Sequence, residues 1–201
     1  MILGITGGFG CGKSSVLRFF ESRSWFTLDA DAVCRSFYDQ RNPLLMKCIK
    51  DNFGAEMFAD DNSVDRKKLA ALLFEAPEKM QIITSVIYPM LTAEVDAAIA
   101  RCRKNNVHGA FELPLLYEAG FEKNFDAVLA IWCPAELRKK RLINRNFTQD
   151  EVIRRDKMQM DPDLKLEKAD YGIINSGTEN DLISQLETLA AILENQFIFA
   201  I

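Results

Sequence analysis

Apolar residues along the chain fall into two rhythms. Five short, nearly continuous runs, at 2–6, 25–28, 107–111, 126–132 and 171–174, have the length and saturation of strands buried on both faces. The stretches between them carry the helical period: Val16, Leu17, Phe19 and Phe20 form the inner face of a helix after the first run, and an amphipathic helix is predicted over about 179–194. Strands alternating with helices predict an α/β fold built on a mainly parallel sheet covered on both faces. From about 42 to 105 the pattern is almost wholly helical, with periodic segments at 43–53, 65–74 and 77–104. That stretch reads as a helical lobe inserted between the second and third strands. Pro43 and Pro77 suit first-turn positions, and Asp60, Asp61, Asn62 and Ser63 form a turn cluster. Tyr88-Pro89 falls inside the longest helical pattern, so a kink or break is expected there. Thr148-Gln149-Asp150-Glu151 has the form of a capping box, which predicts two short helices joined by a sharp turn, able to act as a flap. The apolar tail Gln196-Phe197-Ile198-Phe199-Ala200-Ile201 fits packing on the core or on another subunit, and the pattern does not choose.

Composition narrows the class. With 201 residues, 48% of them hydrophobic, the chain can bury one full core. No run suggests a signal sequence or a membrane span, so a cytoplasmic protein is expected. Five dispersed cysteines and a single histidine, His108, argue against a zinc site or a disulfide framework. A net charge of −4 speaks against broad nucleic-acid binding, so an anionic ligand needs a local cluster of positive charge.

Such a cluster begins at the first strand. Gly7 to Ser14 fits G-x-x-x-x-G-K-[ST] at every defined position, with a strand before it and a helix after it. A backbone wrapping a polyphosphate needs positive φ and no Cβ at several positions, and Gly7, Gly8, Gly10 and Gly12 are the residues expected to supply them. Lys13 would reach the β and γ phosphates of a nucleotide, the Ser14 hydroxyl would sit on Mg²⁺, and the helix N-terminus would add partial positive charge.

Three further places carry candidate chemistry. The second strand ends at Asp29-Ala30-Asp31, and in open α/β sheets ligands bind at that edge. If a helix starts near Ala30, Asp31 and Arg35 share a face. Asp31 could then take the proton of an attacking hydroxyl while Arg35 holds an anionic group, or the two could be a cap and a surface ion pair; spacing favours neither. Glu112, at the end of the third strand, could hold a metal-bound water or cap a turn. Arg138, Arg141 and Arg145 are spaced three and four apart as one stripe, either a phosphate clamp or a solvated helix face. His108 reads as a packing residue.

Together these residues resemble the dephospho-coenzyme A kinases. The likeness rests on 6–14, on Asp29-Ala30-Asp31 with Arg35, on Leu113-Pro114-Leu115-Leu116 with Glu118, on Arg141 and Arg145, and on Gln159 with Ala169-Asp170 and Asn175-Ser176-Gly177. The resemblance implies a three-layer P-loop kinase fold with a parallel five-stranded sheet, a nucleotide core at 1–35 and 106–201, a helical acceptor lobe at 36–105 and a lid at about 138–165. It implies ATP and Mg²⁺ at Gly8, Gly10, Cys11, Gly12, Lys13, Ser14 and Ser15, with Arg141 and Asn175 also on the nucleotide. Asp31 would act on the ribose 3′-hydroxyl of dephospho-CoA, Arg35, Leu115 and Glu118 would hold that acceptor, and Arg145 would stabilise the phosphoryl group in transit. No nucleic acid, membrane or obligatory protein partner is implied. The chain departs from the family pattern at Cys11 for serine, Ser15 for threonine, Tyr88 for histidine, Thr92 for arginine, and Glu112 and Asn146 for aspartate. A kinase of the same fold with another small acceptor, such as a nucleoside monophosphate, is the nearer alternative, and a nucleotide-driven switch the more distant one.

Overall fold

The computed structural model describes residues 1–198, apart from the side chains of Phe74, Glu75, Pro77 and 195–198. The side chains of the apolar tail, and the whole of 199–201, therefore lie outside what is described. Five strands, β1 (Ile2–Gly7), β2 (Phe26–Asp29), β3 (Gly109–Glu112), β4 (Ala127–Trp132) and β5 (Tyr171–Ile174), pair in parallel in the order β2-β3-β1-β4-β5. The apolar runs become strands because both faces are covered: β1 and β3 are buried at every residue. Leu3, Ile5, Leu129 and Ile131 pack with Val16 and Phe20 of α1 (Lys13–Ser22) into one core, which Leu186 and Leu193 also join.

The ends of two runs stay out of the ladder for identifiable reasons. Val107 donates its N–H back to the Cys102 carbonyl at 2.9 Å, so β3 starts only at Gly109. Asp126 uses its side chain instead: Oδ2 accepts from the Ile2 N–H at 2.7 Å and Oδ1 from Arg103 at 3.0 Å. Asp170 does the same before β5, accepting from the Val128 N–H at 2.8 Å. Both aspartates satisfy backbone donors where strands begin, which buried sheet edges require.

The chain divides into two compact units, Met1–Asp29 with Ala98 onward, and Ala30–Ala97. The cuts fall at 29/30, before the helix Ala30–Asp39, and at 97/98, inside the helix Pro77–Lys104, where the resemblance implies 35/36 and 105/106. The second unit holds α2 (Ala30–Asp39), α3 (Pro43–Phe53), α4 (Arg66–Glu75) and most of α5 (Pro77–Lys104). Asn42 caps α3, accepting from the Leu44 and Leu45 N–H groups, and Asp65 caps α4 in the same way through Lys67 and Lys68. A single antiparallel bridge, Phe58 to Val64, closes the predicted turn.

Helix α5 corrects two expectations. It runs unbroken through Pro89. Pro89 is exposed, so the Ser85 carbonyl that loses its helical donor sits on an exposed residue where water can serve it. By length and composition alone, 78–104 is also apolar enough to cross a membrane. Its burial is one-sided, however. Ile83, Ile87, Leu91, Val95, Ala98 and Cys102 form a buried stripe at helical spacing, while Gln81, Ser85, Glu94 and Asp96 are exposed. That is the amphipathic pattern of a helix in a water-facing protein layer.

The remaining helices follow the sheet: α6 (Ala135–Ile143), α7 (Gln149–Lys157), α8 (Pro162–Lys168) and α9 (Glu179–Ile198).

Candidate active site

Because all five strands run one way, their carboxyl ends share one edge of the sheet. From β1 the chain crosses over β3 to reach β2, and from β3 it returns across β1 to β4, so the segment after β1 lies where the winding reverses. In open α/β sheets that is the ligand crevice. Gathered there are the glycine loop after β1, 113–118 after β3, Cys133 after β4 and Asn175 after β5.

The loop is closed on its own lysine. Lys13 Nζ donates to the carbonyls of Gly7 and Gly8 at 3.0 and 3.1 Å and is only 7% exposed. Gly12 has φ 98°, and a Cβ there would stand 2.3 Å from Asn175 Nδ2. Only glycine fits, because Asn175 Nδ2 must reach the Cys11 carbonyl at 2.8 Å. Arg141 completes this side, donating to Asn175 Oδ1 at 3.3 Å and to Cys133 Sγ at 3.6 Å. Arg141 and Asn175 are thus brought to the loop, by two elements distant in sequence. Ser14 is exposed in the first turn of α1, while Ser15 accepts a hydrogen bond from Arg18 at 3.2 Å. A hydrogen bond from Cys133 pulls the buried Cys11 thiol down to about 7 against the opposing effect of burial, with Lys13 and Arg138 assisting; the same contact pushes Cys133 up.

Gly8 departs from expectation. Positive φ occurs at Gly7, Gly10 and Gly12 but not at Gly8. Gly8 is needed for room: a Cβ would meet Pro162 Cγ at 2.8 Å and Arg138 Nη1 at 3.3 Å.

The arginine stripe also resolves differently. Helix α6 ends at Ile143, and Asn146 at φ 64° turns the chain left-handed, a conformation asparagine tolerates well. Arg145 therefore lies past the helix and is exposed. Arg138 is buried and bonded to the Phe9 carbonyl at 3.2 Å and to Asp156 at 2.7 Å. The three guanidiniums go to three places rather than one. The predicted capping box is present, with Thr148 and Glu151 bonded reciprocally at the start of α7.

Glu118 and Leu115 sit in the turn after β3. Glu118 Oε1 accepts from Lys165 Nζ at 2.9 Å and from the Met160 N–H at 2.6 Å. Lys165, fully enclosed, also donates to the Pro114 carbonyl at 2.5 Å. The Glu118 oxygen expected on an acceptor is thus engaged by the protein itself. Glu112 is buried at the end of β3, its Cα opposite those of Ile5 and Asp29. In the helical unit, Asp31 and Arg35 are exposed one turn apart on α2. His108 stacks on Trp25 at 4.7 Å, as a packing residue does.

Sequence reasoning passed over Lys165, Phe9, Phe147 and Arg155. Lys165 reads as a surface lysine of a short charged helix. Phe9 occupies a position the loop motif leaves open.

A phosphate loop on the central strand of a five-stranded parallel sheet, followed by a two-helix arm, defines a P-loop kinase. Comparison with known proteins narrows this. The family model for dephospho-CoA kinase matches residues 1–181, and the chain belongs to that family. It is 32% identical to a dephospho-CoA kinase from Aquifex aeolicus, over 92% of this chain and 93% of that one. Among solved structures it resembles a protein from Thermus thermophilus with a TM-score of 0.80 and 28% identity, over 96% of this chain and 97% of the other. Dephospho-CoA kinase from Campylobacter jejuni follows with a TM-score of 0.74 and 25% identity, over 97% and 98%.

Proposed function

We propose that this chain transfers the γ-phosphoryl group of ATP to the 3′-hydroxyl of the ribose in dephospho-CoA, giving ADP and CoA. The observation that carries the reading is the extent of the family match: it runs from residue 1 to residue 181 and so takes in the helical unit as well as the phosphate loop. A match to the loop alone would fit any P-loop enzyme.

In this reaction Lys13 exchanges its two loop carbonyls for phosphate oxygens, and the N-terminus of α1 adds its partial charge. The Ser14 hydroxyl, exposed in the first turn of α1, suits a metal that takes most of its ligands from phosphates and water. Mg²⁺ held there would supply charge neutralisation for the transferring phosphoryl group. Asp31 orients the ribose hydroxyl and accepts its proton as the new O–P bond forms and the bond to the β-phosphate oxygen breaks. Arg35 and Leu115 hold the acceptor. Arg145, exposed beyond α6, is the guanidinium free to swing onto the transferring group, while Arg141 stays with Asn175 at the loop. The five cysteines are free thiols, which suits a reducing cytoplasm.

The test is ADP release from Mg-ATP coupled to product mass. Dephospho-CoA should give ADP and a product heavier by one phosphoryl group. Turnover with nucleoside monophosphates and none with dephospho-CoA would transfer the chain to another acceptor, and hydrolysis without any acceptor would end the kinase reading.

A further inference from the structure

The proposed reaction leaves Phe9 without a role. We infer that Phe9 is a positioning residue that couples the phosphate loop to the arm formed by α6, the turn at 144–148 and α7, so that nucleotide on the loop orders the arm. The inference rests on the function above only in taking a nucleoside triphosphate as the ligand of the loop.

Phe9 is gripped from two sides by that arm. Its ring packs edge-on against Phe147, with centroids 5.1 Å apart and planes at 83°. The Arg155 guanidinium lies 4.8 Å from the centre of the Phe9 ring and 5.4 Å from that of Phe147, so one cation serves both rings. The Phe9 carbonyl accepts from Arg138 Nη1 at 3.2 Å, and the same nitrogen binds Asp156 at 2.7 Å. One loop residue thus reaches α6, the turn and α7 at once.

The surroundings make this contact a transmitter. Phe9 stands between Gly8, which has no space for a side chain against Pro162 and Arg138, and Gly10 at φ 85°. When phosphates draw Lys13 away from the Gly7 and Gly8 carbonyls, the Gly8 carbonyl keeps the Cys11 N–H at 3.2 Å as its partner, and the loosened peptide before Phe9 shifts the ring with it. On the receiving side the contact continues into the arm's own hydrogen bonds. Phe147 N–H bonds the Leu142 carbonyl at 3.1 Å, and the capping box fixes the start of α7. Phe147 and Arg155 lie on a surface arm outside the main core, so their removal tests the contact rather than the fold.

The experiment uses the full chain, Mg²⁺ and a non-hydrolysable ATP analogue, with calorimetry for affinity and amide exchange for residues 144–157. In the wild type the analogue should slow exchange across 144–157. Phe9→Ala and Phe147→Ala should bind the analogue about 5–30-fold more weakly, or about 1–2 kcal/mol. Both should lose the slowing of the arm, and the double variant should be no worse than either single. Phe147→Tyr should behave as the wild type. Arg155→Gln, at an exposed position, should give the same direction of change and decides the matter if Phe147→Ala does not fold. Unchanged affinity with arm protection intact in these variants, additive losses in the double, or a wild-type arm indifferent to nucleotide would overturn the coupling. A wild type that binds no nucleotide would instead overturn the proposed function.

Discussion

The ammonium of Lys165 is wholly enclosed and is matched by Glu118, whose side chain is 20% exposed. Replacing Lys165 with Met keeps the volume of the stem but removes the charge and the donor to Pro114. Breaking a fully buried pair costs about 3–5 kcal/mol. Here the stranded Glu118 keeps the Met160 N–H and its partial access to water, so about 2–4 kcal/mol is expected. The reverse change, Glu118→Gln, keeps an oxygen that can accept from the enclosed ammonium but removes its countercharge. Burial already holds Lys165 below its ordinary 10.5, with Glu118 opposing, and loss of Glu118 lowers it further. Its folded value then lies below its unfolded one, so the unfolded chain binds more protons in the window between them and stability rises with pH there. Glu118→Gln should therefore be most destabilised near neutrality and recover as pH climbs towards 10.5. The assay is urea unfolding followed by tryptophan fluorescence. Trp25 and Trp132 are the only two tryptophans, and both belong to the nucleotide unit, so the transition reports that unit alone. A Lys165→Met variant within about 0.5 kcal/mol of wild type, or a Glu118→Gln penalty flat with pH, would refute the argument.

Other outcomes follow from the site. Asp31→Ala should cut turnover by about 10²–10⁴-fold while leaving ATP affinity nearly intact by calorimetry, and an active variant would remove it as the base. Lys13→Ala should lower both ATP affinity and kcat, the latter by about 10²–10³-fold, and unchanged steady-state constants would contradict the loop assignment. Gly7→Ala places a Cβ 2.2 Å from the Ile131 carbonyl oxygen at φ 143°, so a loss of about 3 kcal/mol or more is expected in urea unfolding. Bonds from Thr148 hold Glu151 below its ordinary 4.5, so its contribution is present above that value and lost as pH falls through the folded one. Thermal melts of Glu151→Gln should lie below wild type at neutral pH and converge with it in acid.

Features written in a few adjacent residues were legible in the sequence. The buried strands and the Thr148–Glu151 box rest on local patterns, and the phosphate loop declares its own backbone needs. Features that depend on which side of a short helix turns inward were not. In α8, Leu164 is 50% exposed while its neighbour Lys165 is buried, the opposite of what polarity suggests, because Glu118 waits on the inner side. The arginine spacing misled for a related reason. It assumed one continuous helix, whereas Asn146 reverses the chain and leaves Arg145 outside it. Asp126 and Asp170 resembled strand or motif residues, yet each serves the first amides of a neighbouring strand.

The lysine of the resting loop already has two oxygen partners, both supplied by the backbone around it. A visiting anion is therefore measured against that standing arrangement rather than against water. A lone phosphate or sulfate can do little more than replace what Lys13 already holds, whereas a triphosphate also spans the amides of the loop and the first turn of α1. The cradle thus acts as a threshold against the abundant small anions of the cell before any closure takes place.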